Sequence, residues 1–208
     1  MSPGPTFDRV YLGLKEQLAS ARFGPGDHLD PSLLGNELSA SITPVRDALH
    51  RLVGERLVDA PRNEGFRVPA PTEAQLRNLY GWNRELLELA LRRGASVRRV
   101  TDPTDFDADA SQPRARLEPG DLFRIIAAAS ANPELEAAVI SINGRLAPVR
   151  EAEQRLFLDW ESELEALRSA VARQDVSEIR RVIANYHRRR QRSVPDLLVG
   201  WRRFAAPA

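Results

Sequence analysis

The sequence predicts a mainly α chain: three short helices and a small β-hairpin wing at the N-terminus, then an all-helical bundle. Three observations carry this. Apolar residues recur at spacings of three and four along most of the 208 residues. Two short runs, Leu57–Ala60 and Phe66–Val68, read as strands on either side of a Pro61–Gly65 turn. No strand pattern follows residue 70. The domains are expected at 1–70 and 71–208.

Residues 1–5 read as a loose terminus. From Thr6 to Arg22, the positions Phe7, Val10, Tyr11, Leu14 and Leu18 keep a helical period. Gly24-Pro25-Gly26-Asp27 ends that helix in a turn. A second helix, Pro31 to Leu38, turns Leu34 and Leu38 inward. After a Ser39-Ala40 connection, Thr43 is placed to cap a third helix, with Pro44 at its first position. Val45, Ala48, Leu49 and Leu52 form its buried face, and the helix is expected to run to Glu55 or Arg56. Thr43, Arg46, Asp47 and His50 lie opposite. Taken alone this is an amphipathic helix with a solvated face. Its flanks make it the recognition helix of a winged helix-turn-helix, the hairpin being the wing.

The second half opens with Thr72 and Gln75 spaced as a capping box. Leu76, Leu79, Tyr80, Asn83, Leu86, Leu87 and Ala90 then line one side of a helix to Arg93, and Gly94 weakens it. Prolines 103, 113 and 119 make residues 101–120 a loop with at most a helical turn. Asp105, Asp107 and Asp109 superficially follow a calcium loop, but Ala110 and Arg116 stand where glycine and glutamate are required, so a solvated acidic loop is expected. Helices follow at 121–131, 133–155 and 160–173, and another begins after the Asp175–Glu178 capping box. The tail from Arg188 to Ala208 is left without an element, and its arginine run reads as a solvated helix end.

Composition narrows the function classes. Net charge is +1, and residues 1–70 carry eight cations against nine anions, so bulk charge does not point to nucleic acid. Any DNA affinity must come from local placement and from two copies. The absence of cysteine removes disulfides, thiolate metal sites and a cysteine nucleophile, and fits a cytoplasmic protein. No stretch is apolar enough for a membrane span or leader. No nucleophile, base or metal set assembles into an active site, so no enzyme is expected.

The run from Leu14 and Leu18 through Pro25–Leu29, Leu34, Leu38, Ser41–Leu49, Leu52, Leu57-Val58 and Gly65–Val68 resembles the DNA-binding domain of the GntR family of bacterial transcription regulators. The resemblance covers residues 7–69 in unbroken order. It implies that Thr43, Arg46 and His50 face the major groove, with Ser32 and Ile42 beside them and Arg62, Gly65 and Arg67 on the wing. Two positions depart from the family pattern. Ile42 stands where members often carry Arg, and Ser32 where some carry a second basic residue. Ile42 cannot grip guanine, although it can pack on a thymine methyl.

The helical half resembles the effector-binding domain of the FadR-type subgroup, through Arg84 with Glu88, Leu122-Phe123 before Asn132-Pro133, and Ala170 ahead of Asp175. That implies a homodimer on an inverted-repeat operator, expected to repress, whose DNA affinity is modulated by a small organic acid. Many members of the subgroup hold a divalent metal with one Asp and three His. By counting, these fall near Pro119 or Gly120, with Asp121 adjacent, at Phe123 or Arg124, at about Leu164, and at Tyr186 or His187. The metal is therefore expected to be lost, and Arg124, Arg84, Tyr186 and His187 are the candidates for binding an anionic effector. The alternative is a ligand-independent regulator whose helical half is only a dimerisation or protein-interaction scaffold.

Overall fold

The computed structural model of the chain describes residues 4–93 and 117–205. Of the expected loop at 101–120, residues 101–116 lie outside the described residues, as do the acidic run Asp105–Asp109 and the helix weakening at Gly94; its last two residues, Pro119 and Gly120, instead open a helix, proline being suited to a helix's first position.

The described chain divides into two compact units. The first contains the chain up to Thr72 together with Arg145–Ala152 and the chain from Asp196. The second contains Glu73–Gly144 and Glu153–Pro195. Two segments that lie late in the sequence thus group with the N-terminal one.

In the first unit, helices α1 (Pro5–Ala19), α2 (Pro31–Glu37) and α3 (Ile42–Gly54) bury Val10, Leu14, Leu34, Val45, Ala48, Leu49 and Leu52 against one another. Asp30 caps α2 by accepting from the Ser32 N–H at 2.7 Å. The turn between α2 and α3 is tight: a Cβ on Gly35 would lie 2.9 Å from the Ala40 carbonyl oxygen. A glycine is therefore required there. Arg9 closes the same turn by donating to the carbonyls of Leu38 and Ser39 at 2.5 and 3.2 Å.

A polar clamp joins α1 to the end of α3. Tyr11 Oη donates to Glu55 at 2.6 Å, and Lys15 Nζ donates to both, at 2.9 Å each. Burial raises the Glu55 pKa, but the hydrogen bonds from Tyr11 and Lys15 outweigh it and hold the carboxyl below its ordinary value. A depressed carboxylate pKa stabilises the fold above the unfolded-state value, and that contribution is lost as pH falls through the folded-state one. Both side chains are partly exposed, so the effect is under about 1 kcal/mol. Glu55→Gln should lower the melting temperature slightly at pH 7, with the difference shrinking as pH falls below the ordinary glutamate value of about 4.3.

The wing differs from the expected hairpin. Strand β2 (Phe66–Arg67) pairs antiparallel with β1 (His28–Leu29), Leu29 opposite Phe66 and His28 opposite Arg67. The expected first strand at 57–60 is reduced to one bridge, Asp59 with Arg67. The glycine- and proline-rich Gly24–Asp27 segment hid β1, because the turn it forms delivers the chain directly into a strand. That turn is itself tied to the wing, with Gly26 N–H donating to Val68 O at 3.0 Å and Val68 N–H to Asp27 O at 2.9 Å.

The tail is also different. It forms helix α9 (Val194–Phe204), with Leu197, Leu198 and Trp201 buried. Trp201 Nε1 donates to the Phe23 carbonyl at 3.2 Å, at the end of the α1 segment.

The second unit contains α4 (Glu73–Arg93), α5 (Pro119–Ala128), α7 (Trp160–Ala172) and α8 (Val176–Arg192), with part of α6 (Pro133–Leu156). Every residue of the expected α4 stripe is buried. Asn132 caps α6 through the N–H groups of Glu134 and Leu135, and Asp175 caps α8 through that of Glu178. No strand lies beyond β2 among the described residues. No described helix is long and apolar enough to cross a membrane.

Candidate nucleic-acid interface and the polar core of the helical unit

Helix α3 begins at Ile42, with Ser41 as its N-cap residue and no side-chain capping bond. Thr43 therefore lies inside the first turn instead of capping it, which frees its hydroxyl. Ile42, Thr43, Arg46, Asp47 and His50 are all exposed, while Val45, Ala48, Leu49 and Leu52 are buried. One side of the helix is thus anchored and the other is a polar strip headed by an isoleucine. His50 is steadied from below, its ring meeting Phe66 edge-on with centroids 4.9 Å apart. The basic residue that follows is not part of the strip's free end: the Arg51 guanidinium stacks on the Tyr11 ring at 4.1 Å and pairs with Glu55. Ser32 is exposed in the first turn of α2.

On the wing, Arg62 and Gly65 are exposed and Arg67 is half-buried, 3.5 Å from Glu64. Gly65 has φ +71°, and a Cβ there would lie 3.0 Å from His28 Nε2. Gly65→Ala should cost about 1 kcal/mol in urea denaturation, because an L side chain is strained in the left-handed region. The nearby His28 ring can move aside.

The four candidate effector residues are not one cluster of free groups. Arg84 pairs with Glu88 at 2.7 Å, and Arg124 is half-buried on α5. Tyr186 and His187 do meet in the core, where they pack around Phe123 with ring centroids 5.3 and 5.4 Å from it. His187 Nδ1 lies 2.8 Å from the Ile183 carbonyl, and Nε2 lies 2.9 Å from the Asn83 amide. The amide atom that faces Nε2 is the Asn83 oxygen, Oδ1.

The positions that counting assigns to the subgroup's metal ligands carry the following groups. Asp121 accepts the Glu118 N–H at 3.1 Å as part of a helix cap. Phe123 and Leu164 are buried and have no ligand atoms. Both His187 nitrogens are engaged. Among the described residues, no three His, Asp or Glu side chains group as metal ligands.

The core instead holds a buried ion pair that sequence reasoning missed. Glu153 on α6 accepts from Tyr80 Oη at 2.5 Å, Tyr186 Oη at 2.9 Å and Arg190 Nε at 3.0 Å. Arg190 is 0% exposed, lies over the Tyr186 ring at 3.5 Å, and has Glu163 2.5 Å from Nη1. The expected solvated arginine run is therefore corrected at Arg190. Burial works against its charge, but Tyr186, Glu153 and Glu163 more than offset this and raise its pKa above the ordinary value. Burial, then the Glu153 charge, pushes the Tyr80 phenol well above its usual range, so Tyr80 remains a donor. A signal was present: continuing the α6 stripe four residues past Val149 reaches Glu153, and continuing the α8 stripe four past Tyr186 reaches Arg190.

Comparison with known proteins places this geometry in context. Residues 6–68 match the family described as bacterial regulatory proteins, gntR family. The chain is 33% identical over 88 residues to the HTH-type transcriptional repressor GlaR of Escherichia coli, covering 40% of each. It is 34% identical over 122 residues to the E. coli HTH-type transcriptional regulator McbR, covering 57% of this chain and 53% of that one. The chain thus spans about half or less of the length of these curated relatives. In fold it is similar to E. coli McbR/YncC, with a TM-score of 0.69 at 22% identity, over 93% of this chain and 99% of that one.

Proposed function

We propose, from the match of residues 6–68 to the family described as bacterial regulatory proteins, gntR family, that the chain is a sequence-specific DNA-binding transcription regulator. The observation that carries this is α3, a helix anchored on one side whose exposed side presents Thr43, Arg46 and His50 from its first turns. Such a helix enters the major groove, and phosphate contacts set its register while few side chains read bases. Arg62, Gly65 and Arg67 on the wing approach the backbone or minor groove. Two copies reading an inverted repeat, with half-sites about 34 Å apart, add the contacts that a neutral head lacks. The protein acts in the cytoplasm as a homodimer held by the helical half, and it represses, as the printed name of its relative GlaR says of that protein. A gel shift on DNA upstream of its own gene tests this, with Arg46→Ala as control. Equal binding by wild type and variant would sink the assigned contact.

For the helical half, the primary reading is a seat for a small organic acid that lowers operator affinity, with Arg84, Arg124, Tyr186 and His187 as its contacts. One observation favours the second reading, a scaffold without effector: Tyr186 and His187 already have internal partners. A melting screen against small carboxylates separates them. A hit that also releases the operator supports the first, and a screen without hits supports the second.

A further inference from the structure

The middle of the second unit is arranged as an anion-binding site in which the anion belongs to the chain. Tyr80 on α4 and Tyr186 and Arg190 on α8 all donate to the one carboxylate of Glu153 on α6. All four side chains are buried. A desolvated ion pair gives little net stability over a packed apolar pair, so stability alone does not account for such a site.

One donor is left over. Arg190 Nη2 is buried and has no hydrogen-bond partner among the described residues. It shares with Nε the edge of the guanidinium that takes a carboxylate through two parallel hydrogen bonds. Glu153, held by its helix, reaches Nε. A carboxylate free to turn would meet both nitrogens.

We infer that Tyr80, Tyr186 and Arg190 form a binding site for a small monocarboxylate, and that Glu153 fills it from within the chain. The ligand class follows from the charges. With Glu163 already 2.5 Å from Nη1, one further negative charge restores the native balance, and a dicarboxylate exceeds it. A tethered carboxylate competes at high effective concentration, so the intact protein holds its own anion. The inference rests on the second reading above, a helical half that holds without an external effector, because Glu153 itself supplies the anion of the core.

The test uses the full chain with Glu153→Ala, melted in sodium acetate and in sodium chloride at matched ionic strength. The substitution should lower the melting temperature by roughly 10 °C. Acetate at about ten times its dissociation constant should return about 3–6 °C, and chloride none. Wild type should melt alike in both salts, and Glu153→Ala with Arg190→Met should show no acetate effect. Equal responses to acetate and chloride in Glu153→Ala overturn the inference. So does an acetate effect of the same size in wild type, or one that survives the loss of Arg190. If Glu153→Ala folds in neither salt, Glu153→Ser, which also vacates the carboxylate position, is measured in the same way, and no acetate-specific stabilisation there overturns the inference. A gel shift on the same variants reads the DNA-binding proposal separately: operator binding without an acetate response sinks only the carboxylate site.

Discussion

Arg190→Met lowers the free energy of unfolding by about 3–5 kcal/mol, the largest single-residue effect expected outside the apolar core. The substitution keeps most of the side-chain volume but leaves the Glu153 carboxylate buried with the two tyrosine hydroxyls as its remaining donors. Glu163, 2.5 Å from Nη1, loses its nearer ion-pair partner and keeps only Arg189 at 3.9 Å. In urea this appears as a lower midpoint with an unchanged slope, and on heating as a fall of roughly 6–20 °C for a chain of this size. Adding Glu153→Leu should recover most of the loss, because the penalty lies in the unpaired charge and not in the missing cation. A double variant no more stable than Arg190→Met would show that the pair is not what Arg190 supplies.

Arg46→Ala weakens operator binding by about ten- to a hundredfold for each head that contacts a base, from roughly 1–3 kcal/mol per guanidinium–base pair. A dimer uses the residue twice, so the loss compounds when both heads are bound. The salt dependence separates the two contacts open to this side chain. If Arg46 grips a phosphate, the variant's affinity falls about equally on all sequences and the slope of log K against log salt drops by about one per contact. If it grips a base, the preference for the operator over other DNA collapses. In either case the free energy of unfolding should stay within about 0.5 kcal/mol of wild type, since the side chain is exposed. Ile42, 40% exposed at the start of the same helix, places more of the reading on Arg46 than a basic residue there would.

Helix α3 was legible because two independent patterns agreed on it. Val45, Ala48, Leu49 and Leu52 gave the buried side, and the polar run Thr43, Arg46, His50 gave the other. The α4 stripe was legible for the same reason. Elements shorter than a period were not. The strand His28–Leu29 has two residues and follows a Gly-Pro-Gly turn, so it offers no alternation to count. Helix α9 was missed because Pro195 and Gly200 interrupt a segment whose apolar residues Leu197, Leu198 and Trp201 were nevertheless at helical spacing. The polar core was missed for another reason. Glu153 and Arg190 occupy interior positions of two stripes that otherwise contain apolar residues, and a reading based on apolar periodicity stops where the charge begins. Their opposite signs were the clue that they answer each other.

The hydrogen bond from Trp201 to Phe23 spans 178 residues, and this sets the timetable of the first unit during synthesis. The three-helix head emerges early, but the helix that packs with it, α9, is made more than a hundred residues later. At ribosomal speed the interval is on the order of ten seconds, long compared with the time a helical unit needs to find its shape. For that interval the head must hold through α1, α2 and α3 alone, with the Phe23 carbonyl waiting for its donor. Adding the late helix then acts as a checkpoint: a chain truncated before Trp201 presents a recognition helix on a unit that was never closed.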